Sequence, residues 1–316
     1  MREITIQKHI ELKPVSLRVG RFARLKRSFS EKLVELFLFL AAASSVLVTF
    51  AILYLLVSES IPFFQHVSVW DFLTGREWTP LFHDAKFGIL PLVAGTFLTT
   101  IVALVLAIPV GTLVAILLSE YMPDGIREIL KPMLELLAGV PTVVYGYFAL
   151  LFVTPLLQKI IPGLSGFNVL SAGLVIGVMI VPYISSLSED AMRAVPSDLR
   201  EASYAMGSTT AQTSLRVVVP AAFSGLTSAY ILGISRAFGE TMVVAIAAGM
   251  QPNLTLNPTE PAATITAFIV QVSLGDAPHG SIGYQSIYVA GLSLLIMTLA
   301  FNMIGFWLRK RFREAY

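Results

Sequence analysis

Residues 196–220 read Pro-Ser-Asp-Leu-Arg-Glu-Ala-Ser-Tyr-Ala-Met-Gly-Ser-Thr-Thr-Ala-Gln-Thr-Ser-Leu-Arg-Val-Val-Val-Pro, a polar passage set between two long apolar runs. Pro196 cannot continue a helix from before it, because it lacks an N–H and its ring clashes with the preceding turn. Ser197 or Asp198 can start a new helix, and Asp198 with Glu201 three residues on fits a capping box. Gly207 suits the left-handed backbone that closes a helix. Ser208, Thr209 and Thr210 offer an N-cap for a second short helix reaching Arg216. The passage therefore predicts two short helices joined at Gly207, an elbow suited to docking another protein.

The surroundings of this elbow set the class. The chain has 316 residues, 55% hydrophobic and 13% charged, with mean hydropathy +0.76. Soluble domains carry about 25% charged residues, so an ordinary soluble enzyme and a disordered chain are both excluded. The absence of cysteine removes disulfides, iron–sulfur clusters and thiolate zinc sites. A membrane helix needs about 20 mostly apolar residues. Leu36–Val57, Phe87–Ser119, Leu136–Gln158, Ile160–Ser188, Val217–Ser235 and Ser281–Leu308 supply six such runs, the fifth extended by Ala237–Gly249 beyond Arg236. The fold class is all-α integral membrane with six transmembrane helices.

The 22 Lys and Arg residues give the orientation. Nine lie in residues 1–35. Arg127 and Lys131 follow the second run; Arg193, Arg200 and Arg216 follow the fourth; Arg309, Lys310, Arg311 and Arg313 end the chain. Six spans put all of these on one side and leave Arg76, Lys86 and Lys159 on the other. The positive-inside rule then places both termini in the cytoplasm. The first apolar run is too long for a cleaved signal core and is expected to stay as a helix. Residues 1–35 read as a basic arm near anionic lipid headgroups, and 58–87 as an extracytoplasmic loop.

Several motifs carry a resemblance. Glu201-Ala202-Ser203, Gly207, a nine-residue spacer and Val217-Val218-Val219-Pro220 resemble the EAA loop of ABC importer permeases, with Ser203, Val217 and Val219 as small or aliphatic departures. Glu77-Trp78, Phe87-Gly88-Ile89-Leu90-Pro91, Ala107-Ile108-Pro109-Val110-Gly111 and Leu118-Ser119-Glu120-Tyr121 resemble the phosphate importer permeases, as do Gly139-Val140-Pro141-Thr142-Val143-Val144-Tyr145-Gly146 and Arg236-Ala237-Phe238-Gly239-Glu240-Thr241. The resemblance covers about residues 60–316, and the segments at Arg76-Glu77-Trp78 and Met242-Val243-Val244 are more similar to PstC-type than to PstA-type subunits.

That resemblance implies a MetI-like type I permease: one N-terminal helix added to a five-helix core over 88–308, with its coupling loop at 196–220 and a basic tail at 309–316. It implies half of a phosphate pathway, with a PstA-like paralogous permease, two PstB-like ATPase subunits and a PstS-like extracytoplasmic phosphate-binding protein as partners. It implies ATPase coupling by Glu201, Ala202, Gly207 and Pro220, and a pathway role for Arg236 and Glu240. No cofactor and no nucleic acid is implied. The residues agree on one point directly: the chain has no Gly-Lys pair, so it cannot build a Walker-type ATP cradle. His9, His66, His83 and His279 are far apart in sequence, and no metal site is expected.

Arg236 and Glu240 are the only charges between Arg216 and Glu260. On a continuous helix their spacing puts them on one face. One reading is an ion pair that neutralises itself inside the bundle. The other is that Arg236 faces a watery pathway and meets phosphate oxygens with its planar donor fork. An ion-coupled secondary anion carrier, with Glu240 as a proton site, is the alternative function. The elbow and the lack of an internal repeat weigh against it. A membrane scaffold or sensor is a third.

Overall fold

The structure is a computed structural model describing residues 21–275, 278 and 280–311. Most of the N-terminal arm, His9, His279 and Arg313 lie outside the described residues. The chain divides into two units, Met1–Tyr54 and Leu55–Tyr316. Helix α1 spans Arg21–His66. From Glu31 to Tyr54 every residue is exposed or half-exposed, including Phe37, Leu38, Leu47 and Phe50. Apolar side chains exposed all around a helix of this length are those of a segment solvated by lipid.

The second unit is built from broken and unbroken helices. After α1 come α2 (Val69–Thr74), α3 (Leu90–Ile116, prolonged by a π turn over Leu117–Tyr121) and α4 (Asp124–Ala138). Then α5 (Thr142–Phe148) runs through a π turn into α6 (Thr154–Gln158), and α7 spans Val169–Arg193. The elbow is α8 (Ser197–Ala205) and α9 (Thr210–Thr213). A π turn leads to α10 (Val219–Ala221), then α11 (Phe223–Phe238), α12 (Met242–Ala247), α13 (Ile265–Ser273) and α14 (Ile282–Arg311). Among the described residues, four helices are long and apolar enough to cross a membrane. The number rises to six if each bent pair counts as one span.

The helix ends and bends refine four of the apolar runs. The third run, read as Leu136–Gln158, is bent at the residues whose chemistry allows a break: α4 meets α5 at 82° across Gly139-Val140-Pro141, where a proline with no N–H interrupts the ladder. The fourth begins at Val169, not Ile160, because the Asn168 side chain caps it by accepting the Ser171 N–H at 2.7 Å. The fifth ends at Phe238 and does not run on to Gly249. The first continues past Val57 to His66, drawn on by Phe63, which is fully buried among Phe64, Phe72 and Phe87 with ring centroids 5.1–6.0 Å away. Trp78 adds an edge-to-face contact with Phe268 of α13 at 5.0 Å. The 58–87 segment is thus partly helical and packed, and α13 is an element that the apolar-run reading passed over.

The core sits where α3 and α7 run side by side in the same direction. Ala103 and Ala107 of α3 are fully buried against Ala172, Ile176 and Ile180 of α7. Without a hydrophobic drive between lipid-solvated helices, close approach through small residues supplies the packing. At Gly177 a Cβ would stand 2.8 Å from the Ala103 carbonyl oxygen, so any side chain there must part the two helices. Helix α11 packs antiparallel on α7, Gly225 against Ala191 and Gly233 against Ile184.

Gly177→Val should therefore destabilise the purified protein by about 1–3 kcal/mol, the usual cost of overpacking. Gly125→Ala, at an open position in α4 with nothing within 4 Å, should stabilise by about 0.5–1 kcal/mol. Thermal unfolding in detergent, run on both, should move in opposite directions.

Candidate functional site: a broken membrane helix and a charged elbow

Helix α11 carries Arg236 in its last turn and stops at Gly239. Thirteen residues from its start at about 1.5 Å each put Arg236 roughly 20 Å up the helix. It lies over Tyr183, near the middle of α7, with the guanidinium carbon 6.0 Å from the ring centroid. That distance is at the outer edge of a cation–π contact. Arg236 is exposed and makes no ion pair among the described residues.

Glu240 goes elsewhere. Because α11 has ended, the two residues do not share a helical face, and the expected i, i+4 arrangement is not formed. Glu240 is 6% exposed. Its Oε1 accepts the Val243 N–H at 3.3 Å, within the first turn of α12. Its main-chain carbonyl accepts the Thr266 hydroxyl at 2.7 Å. The Ile265 N–H, at the start of α13, donates to the Thr96 hydroxyl of α3 at 3.1 Å. The carboxylate and these threonines satisfy backbone groups set free by the break. Sequence reasoning placed Arg236 and Glu240 in one site; the structure brings Arg236 to Tyr183 and gives Glu240 to α12.

The elbow forms as two short helices with Gly207 between them at φ +81°. The cap of its first helix differs from expectation. Helix α8 starts one residue earlier, with Pro196 at the N-cap and no side-chain cap bond. Asp198 therefore sits in the first turn, where a negative charge complements the helix dipole, and the capping box with Glu201 is not made. A capping box does form on α9, between Thr209 and Gln212. Glu201, Ala202 and Gly207 are all exposed on the elbow. Pro220 lies in α10, just before the 76° bend into α11.

Charged groups gather at the end of α7 that leads into the elbow. Glu189, at 1% exposure, meets Lys131 at 2.6 Å and has Arg127 and Arg193 within 3.6 and 3.8 Å. Arg200 of α8 binds Glu120, and this carboxylate raises the guanidinium further above its ordinary range. Sequence reasoning missed Tyr183, Glu189 and the Glu120–Arg200 pair. A signal existed for two of them: carboxylates at the ends of apolar runs need a cationic partner once buried.

Comparison with known proteins agrees with this architecture. Residues 107–315 match the family model described as binding-protein-dependent transport system inner membrane component. The probable ABC transporter permease protein YqgH of Bacillus subtilis is 38% identical over 245 residues, 78% of this chain and 79% of that protein. The phosphate transport system permease protein PstC of Mesorhizobium japonicum is 32% identical, over 74% and 78%. The probable phosphate transport system permease protein PstC of Methanocaldococcus jannaschii is 30% identical, over 81% and 86%. Among solved structures, a bacterial ABC transporter importing the acidic polysaccharide alginate aligns at TM-score 0.64 and 15% identity, covering 91% of this chain and all of that one. The MetNI methionine ABC transporter aligns at 0.53 and 19%, covering 72% and 95%; both likenesses concern the fold alone. With several helices apolar and long enough to span a membrane, a matched segment covering most of the chain and relatives at 30–38% identity, this multi-pass membrane protein belongs to the binding-protein-dependent transport system inner membrane component family.

Proposed function

We propose that this chain is a permease subunit of an ATP-driven importer for inorganic phosphate. It forms half of the pathway beside a paralogous permease subunit. Two separate ATPase subunits hydrolyse ATP, and an extracytoplasmic binding protein delivers phosphate. Both termini lie in the cytoplasm, as the clustering of Lys and Arg dictates. The observation that carries the reading is an exposed arginine in the last turn of α11, beside Tyr183 of α7, with no carboxylate bonded to it among the described residues, in a chain whose relatives include permeases named for phosphate transport. Charged residues within membrane-spanning segments are expensive and usually face a cavity or pathway. One arginine binds an anion weakly enough to let it leave, which conduction requires. The exposed elbow, with Glu201, Ala202 and Gly207 on its surface, is the contact for the ATPase.

Three measurements test this reading. The chain has no cysteine, so Ser208→Cys adds a unique thiol. It should react with a membrane-permeant maleimide and not with an impermeant one applied outside intact cells; external labelling refutes the orientation.

Gly207→Val meets no neighbouring atom, so its cost is purely the positive φ, of order 1–3 kcal/mol. The membrane core should fold while ATPase association or stimulated hydrolysis is lost. Normal association with normal transport would remove Gly207 from the coupling contact.

Arg236→Lys keeps the charge and loses the fork, whereas Arg236→Gln loses both. Hydrogen bonds to charged groups are worth about 1.5–3 kcal/mol, so Arg236→Gln should lower phosphate uptake by roughly ten- to a hundredfold, and Arg236→Lys by less, at unchanged complex yield. Wild-type uptake by Arg236→Gln in reconstituted vesicles would show that Arg236 handles no anion.

A further inference from the structure

Helix α8 buries none of its residues, yet one of its side chains is bonded on every side. The Arg200 Nε donates to Glu120 Oε2 at 3.0 Å, and Nη2 donates to Glu120 Oε1 at 2.8 Å. Nη1 donates to the Val195 carbonyl at 2.7 Å and Nη2 to the Met192 carbonyl at 2.8 Å. The Glu120 side chain is 3% exposed and that of Arg200 19%. Glu120 stands in the π turn that ends α3, Met192 in the last turn of α7, and Val195 just beyond it. A single guanidinium thus ties the elbow to the ends of two membrane helices.

The remaining attachments of α8 are slight. Leu199 packs against the apolar cluster around Ala115, Met192 and Val218. The Ser203 hydroxyl shares a hydrogen bond with that of Thr213 at 2.9 Å. Glu201, Ala202, Tyr204 and Met206 are exposed, Met206 at 87%. Apolar contact lets a short helix slide or rock. A planar fork held bidentately by a carboxylate, with two backbone carbonyls completing its shell, resists both.

We propose that Arg200 is the positioning residue through which movement of the elbow reaches the membrane core. Displacing α8 pulls Glu120, and with it α3. It also pulls Met192 and Val195, and with them the end of α7. Helices α3 and α7 are packed as one block through Gly173 and Gly177, and α7 carries Tyr183, on which Arg236 lies. The inference rests on the reading of the elbow as the ATPase contact.

The test uses the assembled transporter in vesicles and reads phosphate taken up per ATP hydrolysed. Arg200→Gln should lower this ratio at least roughly tenfold, since charged hydrogen bonds are lost, while ATP hydrolysis continues. Arg200→Lys should fall between Arg200→Gln and wild type. A merely structural role would lower complex yield and both rates together, leaving the ratio unchanged. If Arg200→Gln does not assemble, Glu120→Gln carries the test: it keeps oxygen and shape but removes the charge, and should lower the ratio severalfold. An unchanged ratio in the variants that assemble overturns the proposal. Cross-linking from Met206→Cys to the ATPase separates the two ideas. A wild-type elbow carrying only this change that never cross-links rejects the elbow reading and this inference with it. Cross-linking retained beside an unchanged ratio rejects Arg200 alone.

Discussion

Every backbone polar group that lies at membrane depth must find its partner inside the protein, because hydrocarbon offers none. The second unit breaks its helices at Gly139–Pro141, at Ala222 and at Gly239–Thr241, and each break frees such groups. The last is the most demanding, because the irregular chain from Ala248 to Thr264 follows it. Its groups are absorbed by the N-terminal end of α7: the Asn168, Val169 and Leu170 N–H groups donate to the carbonyls of Ala247, Glu260 and Pro258 at 2.7–3.1 Å. The same strip of chain therefore caps α7 and closes the gap after α12. Thr96 and Thr266 complete the set. The break at Glu240 can exist because α3, α7 and α13 were brought around it.

The two ends of α3 show a division of chemistry. Around Leu90 the contacts are aromatic and apolar, with Trp78, Phe72 and Phe268 meeting edge to face. Around Glu120 they are ionic, with Arg200, Lys131, Glu189 and Arg193 linking α4, α7 and α8. Removing one partner of a buried pair costs about 3–5 kcal/mol, so the charged end is specific about which elements meet. Aromatic packing holds one end by area, and the other is held by geometry.

The fold was legible where one physical signal dominated. Long uncharged runs gave the spans, and Gly207 gave the elbow because its positive φ is steeply unfavourable for other residues. Thr209 was legible as a cap for the same local reason. What could not be read depends on contacts between distant residues. Helix α13 has nine residues, too few to cross a membrane, and exists because Ile265 and Phe268 are buried against Trp78 and its neighbours. The end of α11 lies inside an apolar run, and hydropathy carries no mark of it. The pairing of Arg236 with Glu240 was inferred from a continuous helix, and it failed with that continuity. Arg200 lies three residues after the singled-out Ser197, but its partner Glu120 is 80 residues away, and nothing local names it.

The lost ion pair leaves a charge to be accounted for. A cation at the centre of a membrane helix costs about 2.5–3.5 kcal/mol. Arg236 sits in the last turn of α11, where the terminal carbonyls favour a positive charge by about 0.3–1 kcal/mol, up to about 2 when partly buried. The Tyr183 ring adds about 0.5–1 kcal/mol. Together these offset part of the cost without using any N–H of the guanidinium in an ion pair. Glu240, on the far side of the break, faces the N–H groups that open α12, where a negative charge is favoured. The break therefore sets each charge at a helix end of opposite sign. A continuous helix would have set the two residues on one face and let them pair; ending the helix at Phe238 leaves the guanidinium outside such a pair.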